Sequence, residues 1–392
     1  MSWFSNLIET YDRVSDIVGV ADERGNVLLP QNHMMAKTEI CIVLDEQGVF
    51  RRADVSPLSI MIPCTTKSET SRTGPIAPHP LHEQLGYLAM SEEKRNAYIE
   101  LLQSWKDSHP KVAAVFNYVM TGAVIDDLQR SGVDTPSDKQ FIRFRVEVVG
   151  NQTPNLWEDS TVSNAWLSHC KNTLHYDETL CYATGQIAIM AEKHPKGINI
   201  STYGAKLVSC NDEANYTYKG RFKRAEQANA ISAEASHKAH AMLKYLIASQ
   251  GYKCDTQAVV AWATDDAAAQ PNPFASTEDM LGLYESVCEN NQIEPQRELA
   301  SDYSNKLRNA LRGRGSAAAL KNMSRRVAIM ALDAATTGRM GITFYRELQS
   351  GEYIDSIIQW HETCCWWIRH GKREYISAPS VTRIIAAVYR RG

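Results

Sequence analysis

Apolar and polar positions alternate along this chain with two periods, and the period changes several times. Residues 2–17 place Phe4, Leu7, Ile8, Tyr11 and Val14 at helical spacing and predict an amphipathic helix. The runs TEICIVL (38–44) and LSIMI (58–62) predict strands, with Glu46-Gln47-Gly48 as the turn between them. The stretch PCTTKSETSRTGPIAPHP (63–80) is rich in Pro, Ser and Thr and predicts a loop without a regular element. Residues 92–131 read as two or three helical pieces. FIRFRVEVV (141–149) is the clearest strand: Ile142, Phe144, Val146 and Val148 face one way, Arg143, Arg145 and Glu147 the other.

A helix is expected at 157–170 and strand regions at 181–190 and 204–209. The helix at 233–249 carries its own punctuation. Ser232 is placed to cap it, Glu234 lies in its first turn, Gly251 follows its end, and Ala239, Met242, Leu243, Leu246 and Ile247 form its apolar stripe. A strand (258–263), a linker or long loop (264–278), a hairpin (325–348) and helices at 352–369 and 379–391 complete the chain. Strands and helices mix without a βαβ rhythm, so the predicted class is α+β, with mixed sheets and helices first, then a hairpin and a helical region. Trp157, Trp166, Trp262, Trp360, Trp366 and Trp367 are expected to pack in cores.

Charge changes this picture by its distribution. The 392 residues carry a net −3, yet residues 301–392 hold 15 Lys/Arg against 7 Asp/Glu, leaving −11 for residues 1–300. Such asymmetry points to an anionic partner for the C-terminal part, or to a solvated helical face. The nine cysteines are scattered and odd in number, with no Cys-x-x-Cys, which fits reduced thiols in the cytoplasm. The N-terminus lacks a basic leader and no apolar run reaches membrane-spanning length, so neither a secretory signal nor a membrane partner is expected.

Catalytic chemistry finds little support. There is no G-x-x-x-x-G-K-[ST], no G-x-G-x-x-G and no Gly-x-Ser-x-Gly. His237 and His240, or His169-Cys170 with His175 and Cys181, do not supply four zinc ligands at converging spacing. Asp265 and Asp266 close a strand, where nuclease carboxylates often sit, but adjacent residues point apart. Glu158-Asp159 could be a partner pair. Loop capping is the preferred reading of all four. No cofactor is expected, and the chain reads as non-catalytic.

Nucleic-acid binding fits better. Residues 204–232 bring together Lys206, Lys219, Arg221, Lys223 and Arg224, which can neutralise phosphates, with Ser209, Asn211 and Asn229, which can touch phosphates or base edges. Tyr216, Tyr218 and Phe222 could stack on unpaired bases. Lys67, Ser68, Ser71 and Arg72 form a second, loop-borne group. The same residues also fit packed loops whose charges serve solubility, the preferred reading of 63–80. Asn229 fits best as a residue that shapes its loop through side-chain-to-backbone bonds.

At these residues the chain resembles the large subunit of the type I-C CRISPR surveillance complex, Cascade. The resemblance runs through Cys181, Thr184 and Gly185; His194 and Pro195; Gly204, Ala205, Leu207, Val208, Ser209 and Asn211; Tyr218 and Gly220; Gln227, Asn229, Ala230 and Ser232; and Trp262 with Ala263. Cys210 stands where a Phe is usual, and Ile231 where a Pro is usual. PCTTKSETSRTGPIAPHPLHEQLGYLA and ALDAATTGRMGITFYREL extend the likeness over most of the chain.

The resemblance implies a non-enzymatic protein that sits at the crRNA 5′ end. It would recognise the protospacer-adjacent motif on double-stranded target DNA, promote R-loop formation and support the displaced strand. Its implied partners are the crRNA, the target DNA, the backbone, crRNA-processing and small subunits, and a recruited helicase–nuclease. It also implies an α+β DNA-recognition region at 1–263, a linker and connecting helix at 264–300, and at 301–392 the start of a C-terminal domain. The family continues into a C-terminal helical bundle, so the chain reads as an N-terminal portion or a short member. A metal-dependent nuclease and an assembly protein without DNA contact are the alternatives.

Overall fold

The computed structural model describes residues 2–70, 72, 76–133, 137–173, 178–191, 193–199, 204–209, 222, 229–267, 270, 272–277, 326–370 and 373–388. The chain divides into two compact units. One gathers Met1–Asp16, Lys196–Leu207 and Met242–Gly392; the other gathers Ile17–Pro195 and Val208–Ala241. Strands and helices mix in both, as the α+β reading expects.

Helix α1 (Trp3–Arg13) belongs to the first unit. Ser2 caps it, its side chain accepting from the Phe4 N–H at 3.3 Å. Phe4, Leu7 and Tyr11 are buried along one face, as their spacing predicts. Thr10 is buried beside them and accepts from the Trp262 indole N–H at 3.3 Å, so neither polar group is left without a bond.

The second unit is built on a sheet of four strands: β1 (His33–Asp45), β2 (Phe50–Pro63), β3 (Glu83–Gln84) and β4 (Phe141–Glu147), in the order β2-β1-β4-β3. β1 runs antiparallel to β2 and parallel to β4, with Ile40, Ile42 and Leu44 opposite Ile142, Phe144 and Val146. All six are fully buried. Between β2 and β3 lies a single helical turn, α2 (Thr66–Thr70), a regular element where the sequence predicted only loop. Gly48 in the β1–β2 turn has φ +87°, and a Cβ there would meet the Ala114 carbonyl, so the turn both needs the left-handed region and packs closely.

Helices α3 (Glu92–Trp105), α4 (Pro110–Met120), α5 (Val124–Arg130) and α6 (Ser160–Thr173) complete this core. Trp105 and Trp166 meet edge to face at 5.1 Å, and each indole N–H finds a carbonyl: Pro80 at 3.1 Å and Asn32 at 3.2 Å. On the other face of β4, Arg143 is buried rather than solvated. Its guanidinium donates to the Thr38 hydroxyl, the Ser56 carbonyl and the Ser56 hydroxyl at 2.7–2.9 Å and lies over the half-buried Trp157 ring. A short hairpin, β5 (Glu178–Leu180) and β6 (Ile187–Ile189), follows. Helix α7 (Ala233–Gln250) contributes its residues up to Ala241 to this unit.

In the first unit a second sheet has the order β10-β9-β8-β7, all antiparallel: β7 (Tyr252–Cys254), β8 (Gln257–Ala263), β9 (Arg326–Thr336) and β10 (Arg339–Gln349). Helix α8 (Ser350–Thr363) packs Tyr353, Ile357 and Ile358 against Ala261, Val327 and Ile329. Three expectations need correction here. The helix foreseen over 352–369 stops at Thr363, and Trp366–His370 is instead strand β11, paired with β12 (Arg373–Ser377). Three consecutive residues that favour strands, Trp366, Trp367 and Ile368, outweigh helix continuation past the Cys364 cap. Trp360, Trp366 and Trp367 are exposed, not core residues. The strand foreseen at 204–209 is reduced to isolated bridges at one residue, Lys206, with Leu207 and Val208 only half-buried. Helix α9 (Val381–Val388) ends the described chain.

Candidate nucleic-acid interface

The first group of site candidates follows β2. Lys67 is exposed on α2. Ser68 is buried and closes a reciprocal pair with Thr65: the Thr65 N–H donates to the Ser68 hydroxyl at 2.9 Å, and the Ser68 N–H to the Thr65 hydroxyl at 3.1 Å. Arg72 donates to Glu83 Oε1 at 2.7 Å and lies 4.4 Å from the centre of the Tyr87 ring. Glu83 is fully buried and also accepts backbone N–H groups from His79 at 2.6 Å and Gln84 at 2.5 Å. Burial pushes its carboxyl up to about 7, against the pull of Arg72 and the two N–H donors. Arg72 therefore anchors the loop. Ser71 lies outside the described residues.

The second group starts from a knot of residues that the sequence comparison had placed in one block. The turn Cys181–Gly185 closes with Gly185, at φ +71°, donating its N–H to the Cys181 carbonyl at 2.8 Å. The Tyr182 N–H donates to the Ala230 carbonyl at 2.7 Å, and the Ala191 N–H to the Ile231 carbonyl at 2.9 Å. Ser232 caps α7 through the Ala235 N–H at 3.2 Å and gives its own N–H to Cys181 Sγ at 3.2 Å. Burial raises the Cys181 thiol, but hydrogen bonds from Thr184 and Ser232 outweigh it and bring the group down to about 7.

Asn229 belongs to this knot. Its amide donates to His194 Nε2 at 3.2 Å, which leaves Nδ1–H to donate to the Ser236 hydroxyl at 2.8 Å. His194 is buried and stacks on His240 at 6.1 Å. The motif residues Cys181, His194, Asn229 and Ser232, together with Ser236, thus hold residues 181–195 against residues 229–236. Ser209 is exposed. Asn211, Lys219, Arg221, Lys223 and Arg224 lie outside the described residues.

Lys206 sits in the other unit, against the tip of the β9–β10 hairpin. The Lys206 N–H donates to the Gly338 carbonyl at 3.2 Å, and the Met340 N–H donates back to the Lys206 carbonyl at 3.0 Å. Lys206 is bridged on one side by Lys196 and on the other by Arg339. Facing residues in such a row carry their side chains on one face, about 5 Å apart. Three cations are therefore aligned by backbone register. Gly204 makes the approach feasible, since a Cβ on it would lie 2.8 Å from the Thr337 carbonyl. Ala205 is fully buried next to it. Lys196 and Arg339 were not among the sequence candidates. Their only signals were position: one directly after His194-Pro195, the other in the turn Thr337-Gly338-Arg339.

The chain matches the family of CRISPR-associated proteins Cas_Csd1 over residues 7–392. It belongs to that family. A search of curated proteins finds no match. In this CRISPR-associated protein, the Gly204-Ala205 pair and the strand–turn–strand at 326–349 are one packed feature, which gives both stretches a common structural reason.

Two of the four carboxylates weighed as nuclease ligands have cationic partners, and Glu158 accepts from the Asn155 amide and the Trp157 indole instead. Asp265 accepts from Arg13, and Asp159 accepts from the buried Lys111 ammonium at 2.5 Å and from Thr161. Among the described residues no group of three or more His, Cys, Asp or Glu could hold a metal ion, and no helix is long and apolar enough to cross a membrane.

Proposed function

We propose that this CRISPR-associated protein is the large subunit of a type I-C Cascade. In this reading it joins the crRNA, the backbone, crRNA-processing and small subunits, binds double-stranded target DNA at the protospacer-adjacent motif, and promotes R-loop formation. It is non-catalytic and leaves cleavage to a recruited helicase–nuclease. One observation carries the reading: the cationic row Lys196–Lys206–Arg339, set at a glycine-dependent contact in a chain that matches the family over 7–392. A phosphodiester backbone laid along this row of basic residues would release counterions on binding. The guide RNA supplies the sequence match, so the protein needs only phosphate contacts and a few base-edge contacts at the motif.

The test uses the complex assembled with crRNA and a duplex carrying the motif, with affinity measured over a salt series. Lys206→Ala with Arg339→Ala should weaken binding and flatten the log–log salt slope by about 0.9 per lost phosphate contact. An unchanged slope overturns direct contact and favours an assembly protein. Cutting of DNA by the chain alone with a divalent metal overturns the non-catalytic assignment.

A further inference from the structure

Four exposed aromatic side chains fall close together in the sequence: Phe344, Trp360, Trp366 and Trp367. The last two are the most open tryptophans among the described residues, at 71% and 57% exposure. They are consecutive residues of β11, so their indoles leave the two-stranded ribbon on opposite sides. This exposure is not that of a loose end. Trp366 pairs with Ser377 and Trp367 with Ile376, at the base of the ribbon rather than its tip.

That base is fixed by a buried network. The Ala378 N–H donates to the Thr277 hydroxyl at 2.8 Å, the Thr277 N–H donates to the Ala378 carbonyl at 3.3 Å, and the Thr277 hydroxyl bonds His361 Nδ1 at 2.8 Å. Thr277, His361, Ser377 and Ala378 are all at most 1% exposed. Two indoles held in water by a rigid support lose little conformational freedom when something covers them.

Charge indicates what that is. From Trp366 to Gly392 the chain carries six Lys/Arg and one Asp/Glu. A protein partner would need an acidic face with apolar pockets for both indoles. Single-stranded nucleic acid supplies both requirements along its whole length, with flat base faces and a phosphate per nucleotide. A duplex does not, because its bases are already stacked on one another.

We propose that Trp366 and Trp367 each present a base-stacking face, one on either side of the ribbon, to single-stranded nucleic acid. This rests on the reading of the chain as a Cascade subunit only for the source of the strand, which would be the one displaced from opened target DNA.

The test uses the full 392-residue chain and an oligothymidine of about twenty nucleotides, longer than the sites that such stacking surfaces usually cover. Binding should quench tryptophan emission. Trp366→Ala with Trp367→Ala should weaken it about thirtyfold or more while leaving the salt slope unchanged, because stacking releases no counterions. Trp366→Phe with Trp367→Phe keeps a flat ring and should restore most of the affinity. No binding by the unaltered chain, unchanged affinity in the alanine variant, or a phenylalanine variant as weak as alanine overturns the proposal. So does an alanine variant that keeps its oligothymidine affinity but no longer assembles with other subunits, which would make the ribbon a protein-docking surface. Failure of the crRNA-loaded complex to bind motif-bearing duplex would instead count against the Cascade reading and leave the oligothymidine result standing.

Discussion

Arg72 and Lys206 entered as equals, two cations in polar, Gly- and Ser-containing stretches that could each reach a phosphate. In the folded chain they have opposite surroundings. Arg72 is set against a fully buried carboxylate, Glu83, and over the Tyr87 ring, so its charge is matched inside the protein. Lys206 is set between Lys196 and Arg339 by backbone register, which gathers three basic residues in one row. The first arrangement stabilises the protein as it stands. Composition reports that a cation is present; what stands opposite it decides whether it holds the fold or a ligand.

The largest expected effect falls on the Arg72 side. Glu83→Ala removes one member of a buried pair and frees two backbone N–H groups, so it should destabilise by about 3–5 kcal/mol. Chemical unfolding followed by circular dichroism measures it. A loss below about 1 kcal/mol would mean that Arg72 is free to serve elsewhere.

Acidification separates the two regions next. Burial holds His82 down at about 3, with Arg143 adding to the effect, and His82 Nδ1 accepts from the Phe144 N–H at 3.1 Å. Burial likewise holds His33 at about 4. Both histidines are neutral when folded and take up protons near 6.5 when unfolded. Their stabilisation is complete above that pH and is lost as pH falls toward 4, by up to about 3 kcal/mol each. Glu83, held up at about 7, gains stability over the same fall and offsets about one histidine's share, so melting curves between pH 7 and 4 should show the remaining loss, and stability that rises on acidification would contradict the buried, neutral histidines.

A smaller effect tests the support under the row. Gly204→Ala places a methyl group 2.8 Å from the Thr337 carbonyl, and a backbone oxygen does not yield cheaply. The expected cost is about 1–3 kcal/mol, read by thermal unfolding, with DNA affinity falling too if the row loses its register. A neutral substitution would mean that the hairpin tip adjusts freely.

The smallest effect on stability sharpens the contrast most. Lys206→Ala should change stability by less than about 0.5 kcal/mol while lowering the salt slope of DNA binding by about 0.9. Arg72→Ala should do the reverse. If both variants alter the slope alike, the distinction between the two cations fails.

Much of this was legible along the chain. The alternation Ile40, Ile42, Leu44 and Ile142, Phe144, Val146 announced strands, and the structure pairs those same residues across β1 and β4. Ser232 announced the start of α7, and its hydroxyl caps it. The site was less legible, because its parts are remote in sequence. Lys196 and Arg339 are separated by more than a hundred residues and become neighbours only through Lys206. Trp366 and Trp367 looked like core because tryptophan usually is. Their exposure follows from where helix α8 stops, and helix ends are weakly marked when no Gly or Pro follows.

By itself the sequence determined the mixture of strands and helices, the absence of a phosphate loop and the family to which the chain belongs, because each is written in local spacing or in an ordered series of motifs. Only the tertiary structure decided which cation faces a carboxylate, which faces another cation, and which tryptophans stay in water. Those outcomes depend on what long-range pairing brings opposite each residue, and no local pattern encodes that.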